Sequence, residues 1–439
     1  MPRISVLSSL PVLLASLIIQ SCGAPGSQPT EPAAATAATT PQALPAIVAA
    51  MQQPFTPNDI TLTSETFNLS DHEFDFDNHR MAFIGRNDAQ SGKNWVYVAD
   101  LDPATGNLLG DPRWVDTSGL AIETYDTLPF GNGPEWAASQ RGYDLYYLKA
   151  KLPERVPYMV RASQPNNQPS DPWVRTALLD TEWKGPNVAS YNVADPNPFI
   201  VYMTSDTGGR PFRGAWRVDT LPVEEFDIPQ LELPELSGAA PGRIVPGRRE
   251  IVLTVPDASD PTRTQMARLH LEYEDSLEVI TSYGPDSIIN SVSIMPGPVS
   301  ANGDTALLFY CIVNNHHIDV YSSTQWGQYT LVNSGLRPPV QDSVGYGLLL
   351  DDENFVLDGQ PFITITMGNV RRNPPDSSQI WFAWAYATDS LHYRKVSANV
   401  TAVRNDPEPL KTGAGTFIYY REKVPTTNNF VLHKADIGL

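Results

Sequence analysis

Carboxylates are the side chains of this chain best placed to do chemistry. Gly133-Pro-Glu-Trp136 and Asp406-Pro-Glu408 put acids in proline-containing turns, each followed by a strand that ends in aromatics. Glu135 and the Asp406/Glu408 pair occupy equivalent positions in a recurring unit. Carboxylates gathered from such positions can supply the acid and the nucleophile of glycoside cleavage, with their separation setting the stereochemical outcome. The same pattern also describes plain turn chemistry, with Glu exposed while Pro and Trp136 pack beneath it. Trp136 is a candidate binding residue. So are His316 and His317, the one adjacent histidine pair. Neighbours on a strand point to opposite faces, so those two cannot hold one metal unless they sit in a loop. The other histidines, at 72, 79, 270, 392 and 433, are scattered. Asp71-His-Glu-Phe-Asp-Phe-Asp-Asn78 is dense in acids. It lacks the glycine and the spaced ligands of a calcium loop, and reads as a strand with its acids facing solvent. No metal site and no cofactor are expected. The serine-elbow, zincin, phosphate-loop and Cys-x-x-Cys signatures are all missing, which removes common hydrolases, NTPases and redox folds.

These residues need an element order to position them. Gly23 to Pro57 is rich in Ala, Pro, Thr, Gln and Ser, has Glu31 as its single charge, and cannot bury a core. It reads as a tether, with Leu44 to Met51 able to form one short amphipathic helical turn. From Asn58 to Leu439 the texture is uniform: short apolar or aromatic runs, separated by Gly, Pro, Asn and Asp, as in β-strands with turns. The 40 prolines argue against long helices. Anchored on the second strand of each unit, Phe83, Tyr146, Val201, Val252, Leu308, Ile363 and Ile418 recur at steps of 63, 55, 51, 56, 55 and 55 residues. Repeats too small to hide their own apolar face stack into rings or solenoids. About 55 residues suits four short strands, one propeller blade. The expected fold is therefore an all-β propeller, with seven four-stranded blades favoured over six. The last unit has room for three strands before Leu439, and a strand at Ile60 to Thr63 completes it.

The N-terminus sets the address. Arg3, then an apolar run from Ile4 to Ile19, then Gln20-Ser21-Cys22, is the layout of an export signal, too short and serine-rich to span a bilayer. Ile19-Gln-Ser-Cys22 resembles a bacterial lipobox. That resemblance implies cleavage after residue 21, a lipid on Cys22 and, with Gly23 following, delivery to the outer membrane. The expected organisation is a signal over 1–21, a lipidated tether over 22–57 and the propeller over 58–439. With Cys22 lipidated, Cys311 has no partner for a disulfide, and its apolar surroundings make it a buried small hydrophobe. The net charge of −19 excludes nucleic acid as a partner, and no basic cluster binds anionic lipid, so membrane contact comes through Cys22 alone.

The turn-then-strand unit resembles the repeats of bacterial TolB-like and WD40-like propellers, whose Pro-x-Trp-Ser-Pro-Asp-Gly pattern is approached by Pro134-Glu-Trp136 followed by Gly142. The resemblance implies the fold and places the turn near one end of the central channel. It transfers no function. The expected role is binding or scaffolding of an envelope protein or glycan by one ring face. The alternative is a carbohydrate-active hydrolase or lyase at the channel mouth. Converging acids with perturbed protonation favour the enzyme, and an exposed aromatic patch without them favours the scaffold.

Overall fold

A computed structural model describes residues 44–87, 93–118, 120–122, 133–139, 142–151, 156–164, 170–177, 183–188, 199–204, 214–217, 224–227, 240–244, 250–270, 277–299, 305–325, 327–339, 346–369, 377–398 and 401–439. The expected signal, Cys22 and the first part of the tether lie outside them. Among the described residues no helix is long and apolar enough to cross a membrane.

The chain folds as an all-β propeller. Among the described residues seven antiparallel sheets succeed one another, six of four strands and one of five. Every residue used above to anchor the repeat falls in the second strand of its sheet, from Phe83 in Arg80–Asn87 to Ile418 in Gly415–Lys423. The innermost strands touch in sequence: Phe67–Asp75, Glu135–Ser139, Trp183–Val188, Ala240–Ile244, Ile289–Val299, Tyr346–Leu357, Arg404–Thr412, and back to Phe67–Asp75. That closed circuit is the ring. The long first step of 63 residues has a local cause. In the second sheet the inner position is shared by two short strands, Leu120–Ile122 and Glu135–Ser139, both paired with Gly142–Lys151.

The core lies between neighbouring sheets, where each pair of apolar faces closes on itself. Met295, Leu308, Ile318 and Val320 meet Leu349, Ile363, Ile365 and Met367 in one such layer. Leu69, Phe83 and Tyr97 meet Leu410, Tyr419 and Leu432 in another. Cys311 is fully buried, and burial pushes its thiol up to about 12, so it packs as a hydrophobe and does not serve as a nucleophile.

Closure follows the expected route. Asp59–Thr61 pairs with Phe430–Asp436, Ile60 lying opposite Lys434, and supplies the fourth strand of the last sheet. The preceding residues, 44–57, read from composition as the end of the tether, are packed. A short helix, Ala46–Ala50, buries Val48, and Met51 follows it, against Phe362, Ile418 and Ile437. Arg394 then ties both chain ends together. It donates to the carbonyls of Met51 at 2.9 Å and Ile437 at 2.7 Å, with its guanidinium 4.7 Å from the Phe55 ring.

Candidate functional site

Three inner strands carry the same irregularity. Register shifts fall between Ser70 and His72, Leu349 and Asp351, and Asn405 and Glu408. An extra residue in one strand of a ladder re-aims the side chains around it. Here each bulge falls at the first acid of an Asp-x-Glu triplet or at the residue just before it: Asp71-His-Glu73, Asp351-Asp-Glu353 and Asp406-Pro-Glu408. Asp71 and Asp406 adopt left-handed backbone conformations, φ 40° and 61°, which aspartate tolerates better than most residues.

The three aspartates clasp the ring from sheet to sheet. Asp351 Oδ2 accepts the N–H of Asp406 at 2.8 Å, Asp406 Oδ2 accepts the N–H of His72 at 3.3 Å, and Asp71 Oδ2 accepts the N–H of Gly133. Each acceptor belongs to one sheet and each donor to the next, so the inner edges of four successive sheets are held in register. A Cβ at Gly133 would lie 2.6 Å from Asp71 Cγ, which is why glycine stands there. Asp406 also accepts from the buried His72, Nδ1 to Oδ2 2.9 Å, and pairs with Arg421 at 3.3 Å. A carboxylate can only accept, so His72 Nδ1 carries the proton. Burial works against the charge on Asp406, but Arg421 and His72 overcome it and hold the group at about 2. Asp351 goes the other way. Burial, then the charges of Asp406 and Asp352, push it to about 7.

Two residues along each triplet, the glutamates line a cavity of about 240 Å³ in the channel, where the described residues Glu73, Glu135, Glu353 and Glu408 are joined by the cation Arg243. Phe74, Phe76 and Trp136 form its aromatic wall. Arg243 is ion-paired with Glu353, and Asn354 donates to Ser293 Oγ at 3.1 Å. Trp136 is fixed by donating from Nε1 to the Glu73 carbonyl at 3.1 Å, with the Arg80 guanidinium 4.7 Å from its ring centre. Arg80 is itself held by Asp75.

The acids of this ring suppress one another's ionisation. Burial raises Glu408 well above the usual carboxylate range, and the charges of Glu353 and Asp406 raise it further. Burial does the same to Glu73, reinforced by Glu408 and Glu135. Burial lifts Glu353 to about 8, with Arg243 pulling against the rise. Like charges sharing a desolvated site cannot all ionise, so near neutrality part of the ring holds protons. Glu408 is 7 % exposed, and among the described residues its carboxyl makes no hydrogen bond or ion pair.

Of the residues singled out from sequence, Glu135, Trp136 and Glu408 meet in this cavity. Asp406 sits behind it as a clasp and does not line it. His316 and His317 lie at the hairpin before His317–Gln325, away from the cavity. His317 Nε2 is 3.4 Å from Asp319, and His316 contacts Arg337. Glu73, Glu353 and Arg243 were missed. Reading Asp71 to Asn78 as acids facing solvent also needs correction. Asp71 bridges sheets, Glu73 faces the channel, Asp75 is buried on Arg80, and Asp77 is exposed. The signal for the missed acids was available, because Glu353 and Glu408 are separated by 55 residues, the step of the repeat itself.

Among the described residues one triple brings a ligand atom from each member within 4.8 Å: Asp59, Glu422 and His433, on the three strands of the closing seam. Its two carboxylates are already engaged by neighbouring donors. Tyr420 donates to Asp59, Arg404 donates to Glu422 at 2.8 Å, and His433 stacks on Tyr420 at 5.4 Å. Burial opposes ionisation of Asp59, yet His433 and Tyr420 hold it at about 2.

No family model and no curated protein matches this chain. Among solved structures it is similar to Trypanosoma rangeli sialidase in complex with the inhibitor DANA, at 9 % identity and a TM-score of 0.43, covering 69 % of this chain and 54 % of that one. It is also similar to prolyl oligopeptidase B from Galerina marginata bound to a 25mer macrocyclization substrate, at 11 % identity and a TM-score of 0.44, covering 82 % and 47 %. The chain thus spans about half the length of these structures.

Proposed function

We propose that the protein is a carbohydrate-active hydrolase working in the propeller channel. The observation that carries this reading is one cavity holding buried carboxyls, Glu353 and Glu408, that are both raised, with one of them set against a guanidinium. Among the described residues Glu408 makes no hydrogen bond or ion pair and is raised by burial and by like charges, whereas Glu353 has the Arg243 guanidinium against it. Pairs of acids pushed apart by their surroundings are what acid–base cleavage of a glycosidic bond uses. Glu408 is assigned as the proton donor to the leaving oxygen. Glu353 is assigned as the carboxylate that attacks or activates water, since Arg243 opposes the rise that burial imposes on it, and its charged form grows as pH rises toward 8. The ring titrates as a set, so the pH–rate profile belongs to the group rather than to one residue. Trp136, Phe74 and Phe76 offer the flat apolar surface on which a sugar ring stacks.

The test is release of reducing ends from a panel of neutral, amino and acidic oligosaccharides. Glu408→Gln and Glu353→Gln are each expected to lower kcat by ~10²–10⁴-fold, and Asp406→Asn to act mainly through stability. Turnover unchanged in both Gln variants, or no cleavage of any panel member, overturns the reading.

The address is proposed with it. Ile19-Gln-Ser-Cys22 supports export and lipid attachment at Cys22, and on this reading the channel works at the outer membrane, carried on a tether. Labelling with a radioactive fatty acid in a bacterial host should mark the wild-type chain and fail to mark Cys22→Ser. Equal labelling of the two sinks the assignment.

A further inference from the structure

We propose that the seam where the ring closes binds a divalent transition-metal ion of the zinc type through Asp59, Glu422 and His433, and that the ion staples the closing strand to the last sheet. The site lies on the three outer strands of that sheet, away from the channel, and is independent of the hydrolase reading.

Register brings the triple together. His433, on Phe430–Asp436, lies opposite Tyr420 on one side and Thr61 on the other. Residues two apart on a strand share a face. Glu422 and Asp59 therefore share the face of His433, each one diagonal step away on its own strand. His433 Nδ1 is 3.6 Å from Asp59 Oδ2, and His433 Nε2 is 3.8 Å from Glu422 Oε1. One ligand atom of each residue lies within 4.8 Å of the other two. Metal bonds of ~2.0–2.2 Å draw the three together by on the order of 1 Å. A small turn of the imidazole presents one nitrogen to both acids.

The histidine points to a cation independently of the acids. Among the described residues its Nδ1 is buried and makes no hydrogen bond, 3.6 Å to Asp59 being too long for one. A buried nitrogen left unmade costs free energy that a metal bond removes. The donors on the carboxylates act as the outer support that metal ligands use. Arg404 holds Glu422 by Oε2 and leaves Oε1 facing the histidine, while Tyr420 holds Asp59. Thr61 Oγ1 is exposed and 3.3 Å from His433 Nε2, so a fourth position opens to a hydroxyl or water. One imidazole with two carboxylates suits Zn²⁺, whereas Ca²⁺ and Mg²⁺ take oxygen ligands. The closing strand, Asp59–Thr61, has only three residues. An ion joining Asp59 to His433 and Glu422 ties it to two strands at once.

The experiment starts from the full chain stripped of metal with a chelator. Equilibrium dialysis against Zn²⁺ at pH 7 gives the stoichiometry, and thermal melts with Zn²⁺, Ca²⁺ or Mg²⁺ give the effect on folding. Zn²⁺ should bind at this site with one ion per chain and raise the melting temperature by at least ~2 °C, with no rise from Ca²⁺ or Mg²⁺. His433→Gln should weaken zinc binding more than ~10-fold and abolish the rise. Glu422→Gln gives the same reading if His433→Gln fails to fold. The double variant His316→Ala, His317→Ala should bind zinc at the seam as the wild type does. No zinc binding, an equal rise with Ca²⁺, binding unchanged in the seam variants, or binding lost with the histidine pair overturns the proposal.

Discussion

At the residue scale the channel acids trade stability for chemistry. Glu353 has an ordinary value of 4.5 and is lifted to about 8 in the folded chain. Between those values the native state keeps a proton that the unfolded chain has lost. Stability therefore falls as pH rises through that window. Asp406 has the opposite sign. Its ordinary value is 3.8 and the native one about 2, so it contributes stability above pH ~4 that is lost as pH falls toward 2. Together they predict a melting temperature that peaks between about pH 4 and 5 and declines toward pH 8. Glu353→Gln should flatten the alkaline decline, and Asp406→Asn should lower the melting point near pH 5 while weakening its dependence on acid. Thermal melts across pH 3 to 8 check this. A flat curve from 5 to 8, or an unchanged slope in Glu353→Gln, would falsify the assignment. The same logic explains why turn chemistry alone does not account for Glu135 and Glu408. Solvent-exposed turn glutamates would be hydrated, whereas these two are buried around a shared space.

At the scale of elements, the parts of the structure that were legible in the sequence are those fixed by local rules. The second strand of each sheet announces itself by an apolar run after a turn, and its recurrence gives the repeat and the fold. Ile60 on the closing strand was readable because three strands leave a sheet edge open, and open edges need a partner. The inner strands were less readable, because a bulge changes which face a side chain occupies without changing residue type. Alternation alone sends Asp71, Glu73 and Asp75 to one face. The extra residue at Asp71 and the pairing of Asp75 with Arg80 split them among three environments. Arg243 gave no signal at all. It sits in Pro241-Gly-Arg-Ile244, with no neighbouring acid in sequence, and meets Glu353 only because the ring closes. Glu353 itself could have been found by aligning repeats on the acid rather than on the apolar strand, since its distance to Glu408 equals the strand step.

At the scale of the whole molecule, everything above depends on the ring being shut. Four acids crowd into one channel because seven inner strands press them together, and a ring with an open seam would let them part. The seam is held by Asp59–Thr61 along Phe430–Asp436, by Val48 and Met51 under the last two sheets, and by Arg394 bonding to both chain ends. None of these comes from the repeat itself. They come from 18 residues ahead of it, Leu44 to Thr61. A chain starting at Leu44 should therefore melt as the full chain does. One starting at Leu62 loses the closing strand, exposes the edge of Phe430–Asp436 and uncovers Phe362, Ile418 and Ile437. It should melt far lower and tend to aggregate through that edge. Met51→Ala, which keeps the strand and removes one buried side chain, should fall between them, costing about 2–5 kcal/mol. Because the channel is a property of closure, the truncated chain should also lose the oligosaccharide cleavage assigned to Glu353 and Glu408. Calorimetric melts of the three chains, with the reducing-end assay repeated on each, decide the matter. If the Leu62 chain melts and cleaves like the Leu44 chain, the seam does not hold the site together, and the acid ring must be maintained by the aspartate clasps alone.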